Sequence, residues 1–296
     1  MEPIEIHFGD TFGQNLIRLA GILNREAIKQ LAPPVLEAGN IHESRLCFKR
    51  LRSLLRMGRH GLDKGEYARL NTFYRDQARA LAGQRDYTVL SETVKPFIKA
   101  CDSASEKTNL VRFRAHLHHK RKKEIGGKNH EYARNEVVHN LTKMQAQLLK
   151  WRFSDDKTEI FFLGLQTTYK QARKELALLK TGLTDHLLHE WRKHVKYLWY
   201  QTELLIPLWP VVFKAWVKEL KTLSQLLGRH HDLMLLETAL LKFIEKEQEK
   251  AHFTTIQKIK SEKEKIEKEA IGLGCKLFAL RGGAIYSLLL ANLQTD

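Results

Sequence analysis

The chain has 296 residues, with 50 Lys+Arg against 34 Asp+Glu and 43% hydrophobic content. That length allows one large domain or two small ones, and that apolar content supplies a core, so a disordered chain is excluded. A net charge of +16 opposes compaction by self-repulsion and points to a polyanionic partner: nucleic acid, anionic lipid or an inorganic phosphate polymer.

The N-terminal stretch MEPIEIHFGD is acidic and lacks the basic start and apolar core of a signal peptide. Helices are predicted from there onward, because Leu, Ala, Lys, Glu, Gln and Arg dominate between short Gly/Pro/Asn breaks. They cover 11–31, stopped by Pro33-Pro34, then 41–59, ending at Gly58 and Gly61, then 65–81, 85–100 and 106–124, stopped by Gly126-Gly127. The pattern continues through 130–153, 158–180, 185–205 and 211–227, with a further helix from 230 onward. The stretch 242–270 is dominated by Lys, Glu and Gln and reads as an exposed, charge-laced helix or helical hairpin. No alternating β-branched run lies between turn signals, so no sheet is expected. The most apolar stretch, 197–217, is interrupted by Glu203, Pro207, Pro210 and Lys214, so no membrane-spanning helix and no membrane partner are expected. Cys47, Cys101 and Cys275 are scattered and form no CxxC. This speaks against a disulfide frame or a structural zinc and for the reducing cytoplasm.

Two segments repeat. HESRLCFKRLR at 42–52 and HEWRKHVKYLW at 189–199 align without gaps at an offset of 147. They share His42/His189, Glu43/Glu190, Arg45/Arg192, Lys49/Lys196 and Leu51/Leu198. A Gly…Asp element follows each at nearly equal distance, Gly83–Asp86 and Gly228–Asp232, and each is expected to begin a helix with its Asp as N-cap or as an internal partner of the basic residues. At 3.6 residues per turn, His42, Arg45, Lys49, Arg52 and Arg56 fall within a sector of about 80°, a cationic stripe opposite Leu51, Leu54 and Leu55. His189, Arg192 and Lys196 make the same stripe. Like charges one turn apart weaken a helix by a few tenths of a kcal/mol each, so helix formation does not favour them. A row of Arg and Lys matches an extended row of phosphates, with guanidinium forks and ammonium point charges as donors. Arg112, His116 and His119 share another helical face with Lys123, beside His118 and 120–122, and Tyr169-Lys170…Arg173 sits in the helix before the second motif.

Together these segments resemble the CHAD family, the conserved histidine α-helical domain. His42–Arg52 is similar to its first signature helix, and Leu188–Lys196 to its second. Gly83–Asp86 and Leu226–Asp232 fit the helices that follow each, and Tyr169–Arg173 the basic helix before the second. The resemblance runs from about residue 11 to the C-terminus. It implies an all-α fold: two helical bundles related by a pseudo-twofold internal repeat and packed around a basic central channel. The halves would be 1–155 and 156–296 of a single domain. It implies binding of inorganic polyphosphate by His42, Arg45, Lys49, Arg50, Arg52, His189, Arg192 and Lys196, and targeting to polyphosphate granules. Arg56, Arg112, His116, His119, Lys170, Arg173 and Lys193 complete the expected site. Trp199 stands opposite Arg52 and Glu203 opposite Arg56, so the second half is expected to be less basic. The alternating Glu-x-Glu-x-Lys of a triphosphate-hydrolysing second domain is not matched at Glu2–His7, so a stand-alone domain is expected.

No catalysis is expected and no cofactor. Phosphoanhydride hydrolysis calls for carboxylates holding divalent metal or for a placed nucleophile, and no DxD or ExE cluster lies in the basic helices. Cys47 falls outside the stripe and reads as a packed cysteine, and Glu43 and Glu190 read as salt-bridge partners. The pairs His116/His119 and His230/His231 lack the third or fourth ligand of a zinc site. Trp199 and Tyr200 beside the second stripe keep RNA binding as the alternative, because bases stack on aromatic rings. His42 and His189 are expected to protonate on anion binding, so affinity should rise as pH falls through about 6.5.

Overall fold

The computed structural model describes residues 3–33, 38–81, 84–125, 128–247 and 253–294. In chain order its helices are α1 (Phe12–Leu31), α2 (Ala38–Met57), α3 (Lys64–Ala80), α4 (Gln84–Lys99), α5 (Ala104–Ile125), α6 (Lys128–Gln147), α7 (Ile160–Thr181), α8 (Asp185–Leu204), α9 (Pro210–Glu247), α10 (Phe253–Leu277) and α11 (Gly282–Leu293). Among the described residues no strand forms, and the pairing of Leu62 with Phe153 is an isolated bridge. The all-α expectation holds, and most helix limits fall within a few residues of those predicted.

Local chemistry sets several of these limits. Thr11 Oγ1 accepts from Gln14 N while Gln14 Oε1 accepts from Thr11 N, a capping box that opens α1. Asp156 adds a second cap from across the chain, its Oδ1 accepting from Gly13 N at 2.6 Å. Thr184 opens α8 by accepting from Leu187 N.

The chief departure is α9. A break at Gly228 was expected, with a new helix at His230. Instead one helix of 38 residues runs through both. A helix-interior glycine costs about 1 kcal/mol relative to alanine, which packing on both sides offsets here. Gly228 faces Arg192 of α8, whose Nε and one Nη lie 3.9 Å from where a Cβ would stand. Asp232 is therefore a mid-helix residue and not an N-cap. Gly83, Gly126 and Gly127, and the side chains of Arg85, Asp86 and 121–123, lie outside the described residues. The charge-laced stretch forms the end of α9 and most of α10, which pack against each other as a helical hairpin.

Two apolar cores result. The larger gathers side chains from α1, α2, α3, α6, α7, α8, the first half of α9, the end of α10 and α11, with Phe12, Phe48, Phe162, Tyr169 and Trp191 fully enclosed. The smaller joins the α4–α5 hairpin to the second half of α9 and to α10 through Val94, Leu110, Phe113, Leu236 and Ile259. Glu106 of α5, 6% exposed, ties this bundle across: its Oε1 accepts from Thr255 N and Oγ1 at the start of α10. Both cores take residues from 1–155 and from 156–296. Among the described residues no single helix is long and apolar enough to cross a membrane; α10 and α11 approach that composition only together, across a 53° bend.

Candidate functional site

The site begins where α2 meets α8. Ser53 Oγ donates to the Tyr197 carbonyl at 2.9 Å, and Gln201 Nε2 donates to the Ser53 carbonyl at 3.2 Å, both buried. Arg50 reaches Tyr200 and Glu203, whereas Arg56 lies over Tyr197, so the two helices run antiparallel. The contacts exchange in pairs under the offset of 147. Arg50–Tyr200 becomes Tyr197–Ser53, and Arg50–Glu203 becomes Tyr197–Arg56. Reciprocal contacts of this kind are what a twofold axis between two elements produces.

His42, Arg45, Lys49, Arg52 and Arg56 are all half-buried along α2, as are His189, Arg192 and Lys196 along α8. Several are held by neutral groups. Arg45 Nη1 donates to the Ala78 and Leu81 carbonyls at 3.3 and 3.1 Å, at the end of α3. Cations suit that end of a helix, where carbonyls lack partners. Arg52 Nε donates to Asn71 Oδ1 at 3.1 Å. The Arg56 guanidinium lies 4.5 Å from the Tyr197 ring centre. Tyr200 carries two cations, Arg50 at 5.5 Å and Lys196 at 5.8 Å. Two of the expected ligands are neutralised within the chain. Arg50 Nη2 donates to Glu203 at 3.1 Å, and Lys193 Nζ reaches both oxygens of Glu190 at 2.7 Å. The residue that makes the second row less basic thus also takes a cation from beside the first.

Other expected residues lie elsewhere. Arg173 Nε donates to the Phe278 carbonyl at 3.1 Å, and the stem of Lys170 packs on Gly282, so both face the α10–α11 turn. Arg112 and His119 are exposed on α5, in the smaller bundle, where the His116 ring sits 5.4 Å from Phe243. Cys47 is in the core, where burial above all pushes its thiol up to about 12, far from the thiolate that nucleophilic chemistry requires. Among the described residues no three His, Cys, Asp or Glu side chains converge as a metal would need.

The structure adds three residues. Arg59 and His60 continue the first row past the end of α2, with Arg59 Nε 3.4 Å from His60 Nε2. Burial holds both below their ordinary pKa; Arg56 acts in the same sense on Arg59, and Arg59 on His60. The spacing of Arg59, three residues after Arg56, was a readable signal. The His231 ring of α9 lies 5.0 Å from that of His189, tilted by 39°. Burial holds His189 low, with Lys193 and Arg192 adding to it. Burial, then Arg192 and His189, push His231 down to about 4. Nothing in the sequence places His231 beside His189, because the pairing depends on α9 passing α8.

A histidine whose pKa is lower folded than unfolded stabilises the protein above about 6.5 and loses that contribution as pH falls toward the folded value. Thermal melting between pH 7.5 and pH 4.5 should show the wild type losing more stability than His231→Asn, by about 1 kcal/mol after solvent screening. An equal loss in both would show that His231 does not carry the acid sensitivity.

A family model described as the CHAD domain matches residues 23–241. No curated protein matches the chain. A solved structure, the crystal structure of the CHAD domain from the plant Ricinus communis, is similar over 91% of this chain and 90% of that one. Its identity is 16% and its TM-score 0.54.

Proposed function

Because the chain belongs to the CHAD domain family, we propose that its two basic rows bind inorganic polyphosphate in a basic channel and do not catalyse its breakdown. One observation carries this reading: two half-buried cationic rows of equal spacing on adjoining antiparallel helices, with reciprocal contacts between them. A twofold axis relating antiparallel neighbours stands normal to their plane, so equivalent rows face the same side. His42 and His189 stand eleven residues before Ser53 and Tyr200, counterparts that both lie at the crossing, and so extend from it in opposite directions. That is about 16 Å along each helix, so the cations would line roughly 30 Å of path. A flexible polyanion with one charge per phosphate needs such a line and no base recognition. The bonds of Arg45 to the end of α3 and of Arg52 to Asn71 orient these cations before a ligand arrives, which lowers the ordering cost of binding. The His189–His231 pair adds an acid response. A phosphate beside it favours the protonated rings, so binding would take up protons, with onset below about 6.5 because both histidines start low. Association with polyphosphate granules would follow from the same binding.

Calorimetric titration at near-physiological salt tests this, with long-chain polyphosphate, single-stranded RNA and duplex DNA compared. Polyphosphate should bind about 100-fold tighter than either nucleic acid and weaken steeply with added salt as counterions are released. Equal binding of all three would mean a general polyanion surface and would move RNA binding ahead.

A further inference from the structure

The row on α2 does not stop where its counterpart does. Under the offset of 147, Arg56, Arg59 and His60 correspond to Glu203, Ile206 and Pro207. The twofold is therefore broken in charge just past the crossing. Because α2 and α8 run antiparallel, these three residues lie at the end of the path that also carries His189 and Arg192, whereas Glu203 lies at the end that carries His42. One end of the path is more cationic than the other.

The turn that follows α2 is held on the core. A Cβ on Gly58 or Gly61 would meet the Phe12 ring at 3.1 or 2.6 Å, and Ser154 N donates to the Gly61 carbonyl at 2.9 Å. His60, exposed on this turn, is oriented by α7. Thr167 Oγ1 gives its proton to the Leu163 carbonyl at 2.7 Å and so accepts from His60 Nε2 at 3.1 Å. A His60 that donates there is no acceptor for Arg59, whose Nε approaches it only to 3.4 Å. Among the described residues the half-buried Arg59 guanidinium has no other hydrogen bond and no ion pair. The groups that act on it are Arg56, of like charge, and the Tyr67 phenol; on His60 it is Arg59. Asp63, the nearest acid in sequence, pairs with neither. Arg45, Arg50, Arg52 and Arg173, by contrast, each donate to an acceptor within the chain.

Like cations that lose hydration without gaining a carboxylate repel one another, a cost that a bound anion offsets. The cluster fits one kind of phosphate best. An internal phosphate of a chain carries one charge. A terminal one resembles a phosphomonoester, with about 1.5–2 negative charges at pH 7 and three acceptor oxygens.

We propose that Arg56, Arg59 and His60 form a subsite for the terminal phosphate of a polyphosphate chain, so that the protein holds its polymer by one end. The inference rests on the polyphosphate reading and adds a direction to it: the chain starts at this turn and runs past the crossing toward His42.

The test is calorimetric titration of the full chain with linear tripolyphosphate, which has terminal groups, and cyclic trimetaphosphate, which has none. The wild type should bind the linear form at least about tenfold tighter. The two forms also differ in charge, so the ratio within each variant decides. Arg59→Ala should weaken linear binding about tenfold and cyclic binding less than about twofold. His60→Gln alters an exposed side chain and should lower the linear-to-cyclic ratio about threefold, which keeps the test readable where Arg59→Ala disturbs folding. Equal binding of the two forms by the wild type, or equal weakening of both in the two variants, would overturn the proposal. Long-chain polyphosphate separates the readings. A wild type that binds it yet treats linear and cyclic forms alike fails only as an end binder, whereas one that binds neither long chains nor tripolyphosphate fails the polyphosphate reading as well.

Discussion

Replacing Gly164 by alanine should destabilise the protein by about 3 kcal/mol or more, a loss read as a lower denaturant midpoint or as failure to accumulate folded chain. The cause is local. A Cβ at this position would stand 1.8 Å from the Met57 carbonyl oxygen and 2.4 Å from its carbon. Those atoms are helix backbone, so α7 would have to move away from α2, opening the core that Phe161, Phe162 and Leu165 share with Leu54 and Leu55. Gly272 in α10 is the control, because nothing lies within 4 Å of its added Cβ. Gly272→Ala should be neutral or stabilising, by up to about 1 kcal/mol, from helix propensity alone. Similar midpoints for the two variants would mean that α2 and α7 are not in backbone contact.

The second large effect concerns affinity. Lys49 and Lys196 correspond under the offset of 147, and both are half-buried. Their joint replacement by alanine should weaken polyphosphate binding about 100-fold, since a hydrogen bond to a charged group is worth about 1.5–3 kcal/mol and 1.4 kcal/mol is tenfold. The salt dependence should become shallower by about two charges. Lysine is the better choice here than Arg45, whose loss would also release the end of α3. Lys174→Ala, exposed on α7, should change affinity less than about twofold. Unchanged binding in the double variant would remove the rows from the site.

Helix limits were readable wherever local chemistry sets them. Pro33 and Gly61 act through their own backbone neighbours, and the expected ends lie near the observed ones. Gly228 does not end a helix, because tertiary packing of α9 in both cores, with Arg192 beside the glycine, outweighs its weak local preference. The same division holds for the candidate site. The stripe on α2 and its counterpart on α8 follow from spacing, which the sequence records directly. The fate of single cations does not. Arg50 is tied to Glu203, Arg173 to the Phe278 carbonyl and Lys193 to Glu190, and only the last pair is near enough in sequence to be anticipated. Basic residues count alike in a composition, whereas a folded surface sorts them by which acceptor reaches them first.

The uninterrupted course of α9 has a mechanical consequence. The helix extends about 57 Å and carries side chains into both cores, Leu220 and Leu223 into one and Leu236 and Leu240 into the other. Opening the smaller bundle alone would have to unwind α9 from its C-terminal end back to its middle and strip α10, which packs into both cores, from its partners. Amide exchange along α9 should therefore slow to a common, near-global rate instead of falling into two classes. The shaft, with α10, which also reaches both cores, and Leu226, which packs on both, makes the two cores a single cooperative unit.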